Sequence, residues 1–198
     1  MRTVTGLFDD YSDARSAVSK LEAAGIPSSD ISIVSNKAGR GDGDSDVGED
    51  AATGAGIGAA VGGAGGLLTG LGLMAIPGVG PVVAAGWLAA TAAGAVAGAV
   101  AGGATGGLIG ALTDSGVPED DAHLYAEGVR RGGSLVTAKV DDARAPEAQT
   151  ILQGSNWVDP IERRRAYNEQ GWNRFDHTLD PYRREQIEQE RDRYRRTA

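Results

Sequence analysis

Val4-Thr-Gly-Leu-Phe-Asp-Asp10, followed by Ala17 and Leu21, is echoed by Val136-Thr-Ala-Lys-Val-Asp-Asp142, followed by Ala148 and Leu152. Each copy reads as strand, helix, strand. In the first, residues 3–8 are strand-like, and Ala14, Ala17, Val18 and Leu21 form an i, i+3, i+4, i+7 stripe on a helix begun by Asp10 or Ser12. Gly25 and Pro27 stop that helix, and Ile31 and Ile33 alternate with Ser32 and Val34 as a second strand. The second copy has a strand at 135–140, a helix from Pro146 carrying Ala148, Ile151 and Leu152, and a short final strand at Trp157-Val158. An extra helix from Pro118 starts acidic (Glu119, Asp120, Asp121) and ends basic (Arg130, Arg131), which matches the helix dipole. Two tandem βαβ units predict an α+β fold, a four-stranded antiparallel sheet with helices on one face in the ferredoxin-like arrangement.

Charge divides the 198-residue chain. Residues 51–113 contain no Asp, Glu, Lys, Arg or His, and they hold 19 of the 31 glycines. From 159 onward the chain carries ten Arg and no Lys against nine acids. The expected organisation is a ferredoxin-like domain from 1–36 and 117–158, an acidic linker at 37–50, an inserted segment at 51–113 and a charged tail at 159–198. Because the repeat contains all the predicted strands, the outer halves are expected to fold without the insert. So small a core suggests a sheet face covered by a second copy, hence a homo-oligomer.

Within the insert, Gly54, Gly58, Gly62, Gly66 and Gly70 are spaced by four, as are Gly94, Gly98, Gly102, Gly106 and Gly110. At this glycine frequency two such rows arise by chance with a probability of about 0.01. Spacing of four puts each row on one helical face, where absent Cβ atoms let two backbones approach closely. Met74-Ala-Ile-Pro-Gly-Val-Gly-Pro81 separates the rows and signals a tight turn, so the insert is expected to be an antiparallel glycine-zipper helical hairpin. Residues 51–75 as helix would extend about 37 Å, enough for the ~30 Å hydrocarbon core of a bilayer, and Trp87 would sit at the interface. A hairpin packed between soluble subunits and a disordered Gly/Ala tract are the competing readings, because Gly and Ala bring little apolar area.

Composition excludes several chemistries. Without Cys and with only His123 and His177, a thiol nucleophile, a Cys-rich zinc site and a multi-His metal site are ruled out. The net charge of −8 gives no support to nucleic-acid binding. Gly54-Ala-Gly56-Ile-Gly58-Ala59 fits a loose dinucleotide pattern without the preceding strand or the following acid. Asp42-Gly-Asp44-Ser-Asp46 lacks the Gly and Glu that a calcium loop requires. Asp9-Asp10 and Asp141-Asp142 read as helix caps, His123 and His177 as surface histidines. The tail, with Arg163-Arg164-Arg165, Tyr167, Trp172, Phe175, Tyr182 and Tyr194, reads as a solvated helix starting at Pro181, or a flexible arm. The N-terminus has no apolar secretion signal. No catalytic, cofactor-binding or metal-ligating residue is expected, and no small-molecule substrate.

Thr3-Val-Thr-Gly-Leu-Phe-Asp-Asp10, Leu21-Glu-Ala-Ala-Gly25, Asp30-Ile-Ser-Ile-Val34, Gly116-Val-Pro-Glu-Asp120 and Tyr125-Ala-Glu-Gly-Val-Arg-Arg-Gly-Gly-Ser-Leu-Val-Thr137 together resemble the bacterial general stress protein domain of the YflT-like type, in versions with a glycine-rich insert. The resemblance implies a stress-associated bacterial protein with no established enzymatic activity. Joined to the insert, it suggests a non-enzymatic stress-response protein anchored to a lipid bilayer, with its domain on the cytoplasmic side. The alternative is a soluble oligomeric assembly module.

Overall fold

The computed structural model describes residues 1–39, 72–76, 78–88, 91 and 106–195. It is an α+β fold. Strands β1 (Arg2–Phe8), β2 (Ile31–Asn36), β3 (Gly72–Ile76), β4 (Gly80–Ala85) and β5 (Ser134–Val140) form one sheet in the order β1-β5-β2-β4-β3, each neighbour antiparallel. Six α-helices accompany it among the described residues: α1 (Tyr11–Ala23), α2 (Ala111–Asp114), α3 (Glu119–Arg130), α4 (Ala145–Gln153), α5 (Pro160–Glu169) and α6 (Arg184–Arg195).

The period-2 pattern sends alternate side chains to two cores. Val4, Phe8, Ile31, Ile33, Val83, Val136 and Ala138 pack on one face against Ala14, Ala17 and Leu21 of α1 and Ala148 and Leu152 of α4. Leu7, Val34, Val82, Ala84 and Leu135 face the other way, against Leu112 of α2 and Ala122, Tyr125, Ala126 and Val129 of α3. All six residues of β2 are buried because both faces above it are covered. The expectation of helices on one face is thus corrected, and the second face is closed by the chain itself rather than left for a second copy. Helix α1 ends where Gly25 takes φ 83°, letting the Ile26 amide reach back to the Leu21 carbonyl at 3.1 Å.

Two other expectations change. Residues 72–75 and 82–85, read as parts of two helical arms, belong to β3 and β4, paired from Gly72↔Ala84 to Ile76↔Gly80. The turn expected within 74–81 joins two strands of the domain sheet, with Gly78 and Gly80 at positive φ. The physical reason is local: Val82 and Val83 are stiff at χ1 and favour extended backbone, and each gains a separate core by alternation. Trp87 lies beside the start of β2, donating from Nε1 to the Asp30 carbonyl at 3.1 Å beneath the Lys139 ammonium. The predicted last strand, Trp157-Val158, is reduced to one backbone bond, from the Val158 amide to the Leu7 carbonyl at 2.9 Å along the free edge of β1.

Core sharing argues against independence of the outer halves. Ile76, Val79, Val82, Val83, Leu88, Leu108 and Leu112 come from residues 51–113 and are each at most 5% exposed. At about 1.5–3 kcal/mol per buried side chain, seven of them contribute roughly 10–20 kcal/mol, as much as a domain's whole net stability. Replacing residues 51–113 by a short linker is therefore expected to abolish cooperative urea unfolding followed by circular dichroism. A sharp transition in the shortened chain would show that the outer halves hold their own core.

Candidate functional site

Tyr125-Ala-Glu-Gly-Val-Arg-Arg-Gly-Gly133 runs from the middle of α3 to the start of β5. Tyr125, Ala126 and Val129 face the sheet. Gly128 lies against Leu7, whose methyl would stand 2.6 Å from any added Cβ. Gly132 ends the helix at φ 100° with the Ile187 side chain of α6 over its Cα, leaving no space for a Cβ. Ile187 is 1% exposed there.

Glu127 is fully buried and holds two arginines. Its carboxylate accepts from Arg130 Nε at 2.9 Å and Nη2 at 2.5 Å, and from Arg131 Nε at 2.6 Å. Those arginines grip the tail. Arg130 donates to the Asp180 carbonyl at 2.9 Å, while Arg131 donates to Gln170 Oε1 at 2.6 Å and Glu190 Oε1 at 2.8 Å and lies over the Tyr167 ring. From the tail side, Arg163 forks onto both oxygens of Asp9 at 2.7 Å and stacks on Tyr194. Arg191 donates to the Asp9 carbonyl at 2.9 Å and the Gly39 carbonyl at 2.7 Å. Burial opposes charge on Arg131, yet the hydrogen bonds and field of Glu127 overcome it and raise its pKa. Burial opposes the charge of Arg163 likewise, and Asp9 raises its pKa. The Tyr167 hydroxyl is pushed up to about 12 by burial, against the lowering fields of Arg163 and Arg131.

The tail is therefore docked rather than a solvated arm, and its second helix begins at Arg184, three residues beyond Pro181. Asp9 and Asp10 are ion-pair partners: Asp10 occupies the N-cap position of α1 without a capping side-chain bond, its carboxylate 3.4 Å from Arg191 and 3.5 Å from Arg195. Asp141 and Asp142 do not cap either, since Arg144 holds the N-cap position of α4. His123, read as a surface residue, is 8% exposed, whereas His177 is exposed. The sequence signal for the dock was ten Arg with no Lys, because the planar guanidinium is the cation suited to buried bidentate pairs.

Of the glycine rows, Gly54, Gly58, Gly62, Gly66, Gly70, Gly94, Gly98 and Gly102 lie outside the described residues. Gly106 and Gly110 bound a wide helical turn interrupted at Gly107 (φ −31°, ψ −133°). This turn walls a cavity of about 670 Å³ together with Ile76, Val79, Ala126 and Phe175. Glu119, His123, Arg174 and His177 supply its polar wall. His123 Nε2 is 3.7 Å from Glu119, which also pairs with Arg174. Burial lowers the His123 pKa first and the Arg174 charge second, against Glu119 and Asp120, which raise it. Among the described residues no group of three or more His, Asp or Glu side chains is placed to hold a metal ion.

Substituting Glu127→Gln leaves two buried guanidiniums without their carboxylate and should destabilise the fold by about 3–5 kcal/mol in urea titration, while Glu169→Gln on the exposed side of α5 should change it by less than about 0.5 kcal/mol. For His123 the folded pKa lies below the unfolded one, so unfolding takes up a proton near and below pH 6.5. Its stabilising share is present above that pH and is lost as pH falls toward the folded value. The urea midpoint should drop between about pH 7.5 and 5.5, and drop less in His123→Gln. No family model, no curated protein and no solved structure matches the chain.

Proposed function

We propose that the chain is a non-enzymatic stress-response protein working as an assembly module, in which glycine-row segments pack between copies around a folded unit of ferredoxin-like topology. The stress-related reading rests on the resemblance carried by the Tyr125 to Thr137 stretch and its companions. The topology is supported by the spatial order Val158, β1, β5, β2, to which β4 and β3 add an extension. The non-enzymatic reading is supported by the deepest charges: Glu127, Arg130, Arg131 and Arg163 are engaged by one another, by Asp9 and by the tail.

The observation that carries assembly over bilayer spanning is where the glycine-rich segments are tethered. Residues 40–71 leave from Gly39 and return at Gly72, and residues 92–105 leave after Thr91 and return at Gly106, all within the folded unit. A helix that crosses a bilayer and comes back needs about 40 residues plus a turn. The two tethered stretches offer 32 and 14. No helix among the described residues is long and apolar enough to cross a membrane. Close helix packing between copies uses short uncharged glycine rows directly. The 63 uncharged residues support the second reading, in which the same rows enter or lie on a lipid bilayer.

Sedimentation of the full chain without detergent should show a defined oligomer. Replacing Gly62 and Gly102 by Leu should dissociate it, whereas Val61→Leu with Val100→Leu, away from the rows, should leave it intact. A monomer, or equal behaviour of both pairs, overturns the assembly reading. Retention of the chain in carbonate-washed membranes would favour the bilayer reading.

A further inference from the structure

The cavity under the tail is walled by residues of one chain, and its construction fits a small ligand. Its volume of about 670 Å³ falls in the ordinary range for small-molecule sites. Ile76, Val79, Leu108, Val117 and Phe175 make the interior apolar. Polar groups sit together on one side, where the Arg174 and Glu119 side chains are 61% and 62% exposed. The wall on that side is the loop between α5 and α6. It is held close: the backbone of His177 lies over Gly78 and the Pro181 ring over Gly80, so tightly that a Cβ on either glycine would collide.

We infer that this cavity binds a small amphipathic monocarboxylate, its apolar body against Val79, Leu108 and Phe175 and its carboxylate on Arg174. The charge pattern selects the head group. Arg174 is a permanent cation with five N–H donors, and the structure pairs it with Glu119 through Nη2 alone. The rest of the fork is available to a second carboxylate, as is the exposed His177 imidazole. Glu119, already shared by Arg174 and His123, is the one acid of the described lining, so a cationic head would have to displace Arg174 from it. A neutral head gains the apolar contacts without the guanidinium pair. The volume admits an unbranched chain of about ten carbons. The inference is independent of self-association, because every residue it uses belongs to one chain.

Decanoate, decanol and decylamine titrated calorimetrically into the full chain, each below its micelle concentration, test it. Decanoate should bind with one site per chain and shift the His123 ring resonances in carbon–proton correlation spectra. Decanol and decylamine should bind at least about fivefold more weakly, in line with an exposed charge pair. Arg174→Gln should weaken decanoate about five- to tenfold and leave decanol unchanged. Thr113→Trp, which places an indole in the lining, should remove binding of all three. Circular dichroism melts establish that both variants are folded, and the His123 shifts in the unmodified chain locate the site independently of them. No decanoate binding at about 1 mM overturns the proposal. Equal affinity for the three head groups, or saturation that leaves the His123 resonances unmoved, overturns it as well.

Discussion

Taking a carboxylate out of water costs several kcal/mol, and Glu127 has no exposed surface through which to recover it. Its charge is matched only if Arg130 and Arg131 stay beside it, at the last turn of α3, where the helix dipole also favours cations. Each arginine then has donors left over, and the nearest acceptors are the Asp180 carbonyl, Gln170 and Glu190, all in the tail. The tail is thus the completing half of a buried electrostatic site. That requirement explains how a stretch of near-balanced charge becomes ordered. Its few large apolar groups, Tyr167, Trp172 and Ile187, would be a thin core without the guanidinium pairs between them.

Glycine makes this geometry possible at two distances. Close to Glu127, the bare Cα of Gly128 lets α3 settle on Leu7, and that of Gly132 gives Ile187 its seat. Farther away, Gly78 and Gly80 admit His177 and Pro181, which brings the tail loop onto the β3–β4 turn. The same residue type therefore serves backbone approach between tail and body, in addition to any helix packing by the rows. Side chains at these positions would push the tail away from its acceptors, and the cost would fall on Glu127 as well as on packing.

The outer strands, α1, α3 and α4 were legible because each buries a simple stripe: Ala14, Ala17, Val18 and Leu21 repeat at helical spacing, and Ile31 and Ile33 alternate. Residues 72–75 and 82–85 were misread because their neighbours are Gly and Ala, which suit a helical row, while the local strand signal was confined to Val82-Val83 beside the Pro77-Gly78 turn signal. Tertiary pairing with β2 decided the matter. The partners within the dock were illegible for a different reason, although the Arg-only tail hinted at one. Asp9 and Arg163 are far apart in the chain, and nothing local to either announces the other. Glu127 three and four residues before Arg130 and Arg131 looks like an ordinary surface helix pair, and only burial turns it into a structural centre.

Arg191 connects these parts. Its guanidinium reaches the Asp9 carbonyl at the end of β1 and the Gly39 carbonyl at the end of the 3₁₀ turn after β2, while Ile187, one turn earlier on α6, covers Gly132 before β5. Gly39 itself stands so close to the Gly132 carbonyl that no larger residue would fit. One helix of the tail therefore fixes the ends of three strands at the point where residues 40–71 depart. Anything that loosens α6 must also loosen that point of departure, because the same hydrogen bonds hold both. Docking of the tail and the anchoring of Gly39 are in this sense a single equilibrium, set by whether Glu127 keeps its arginines.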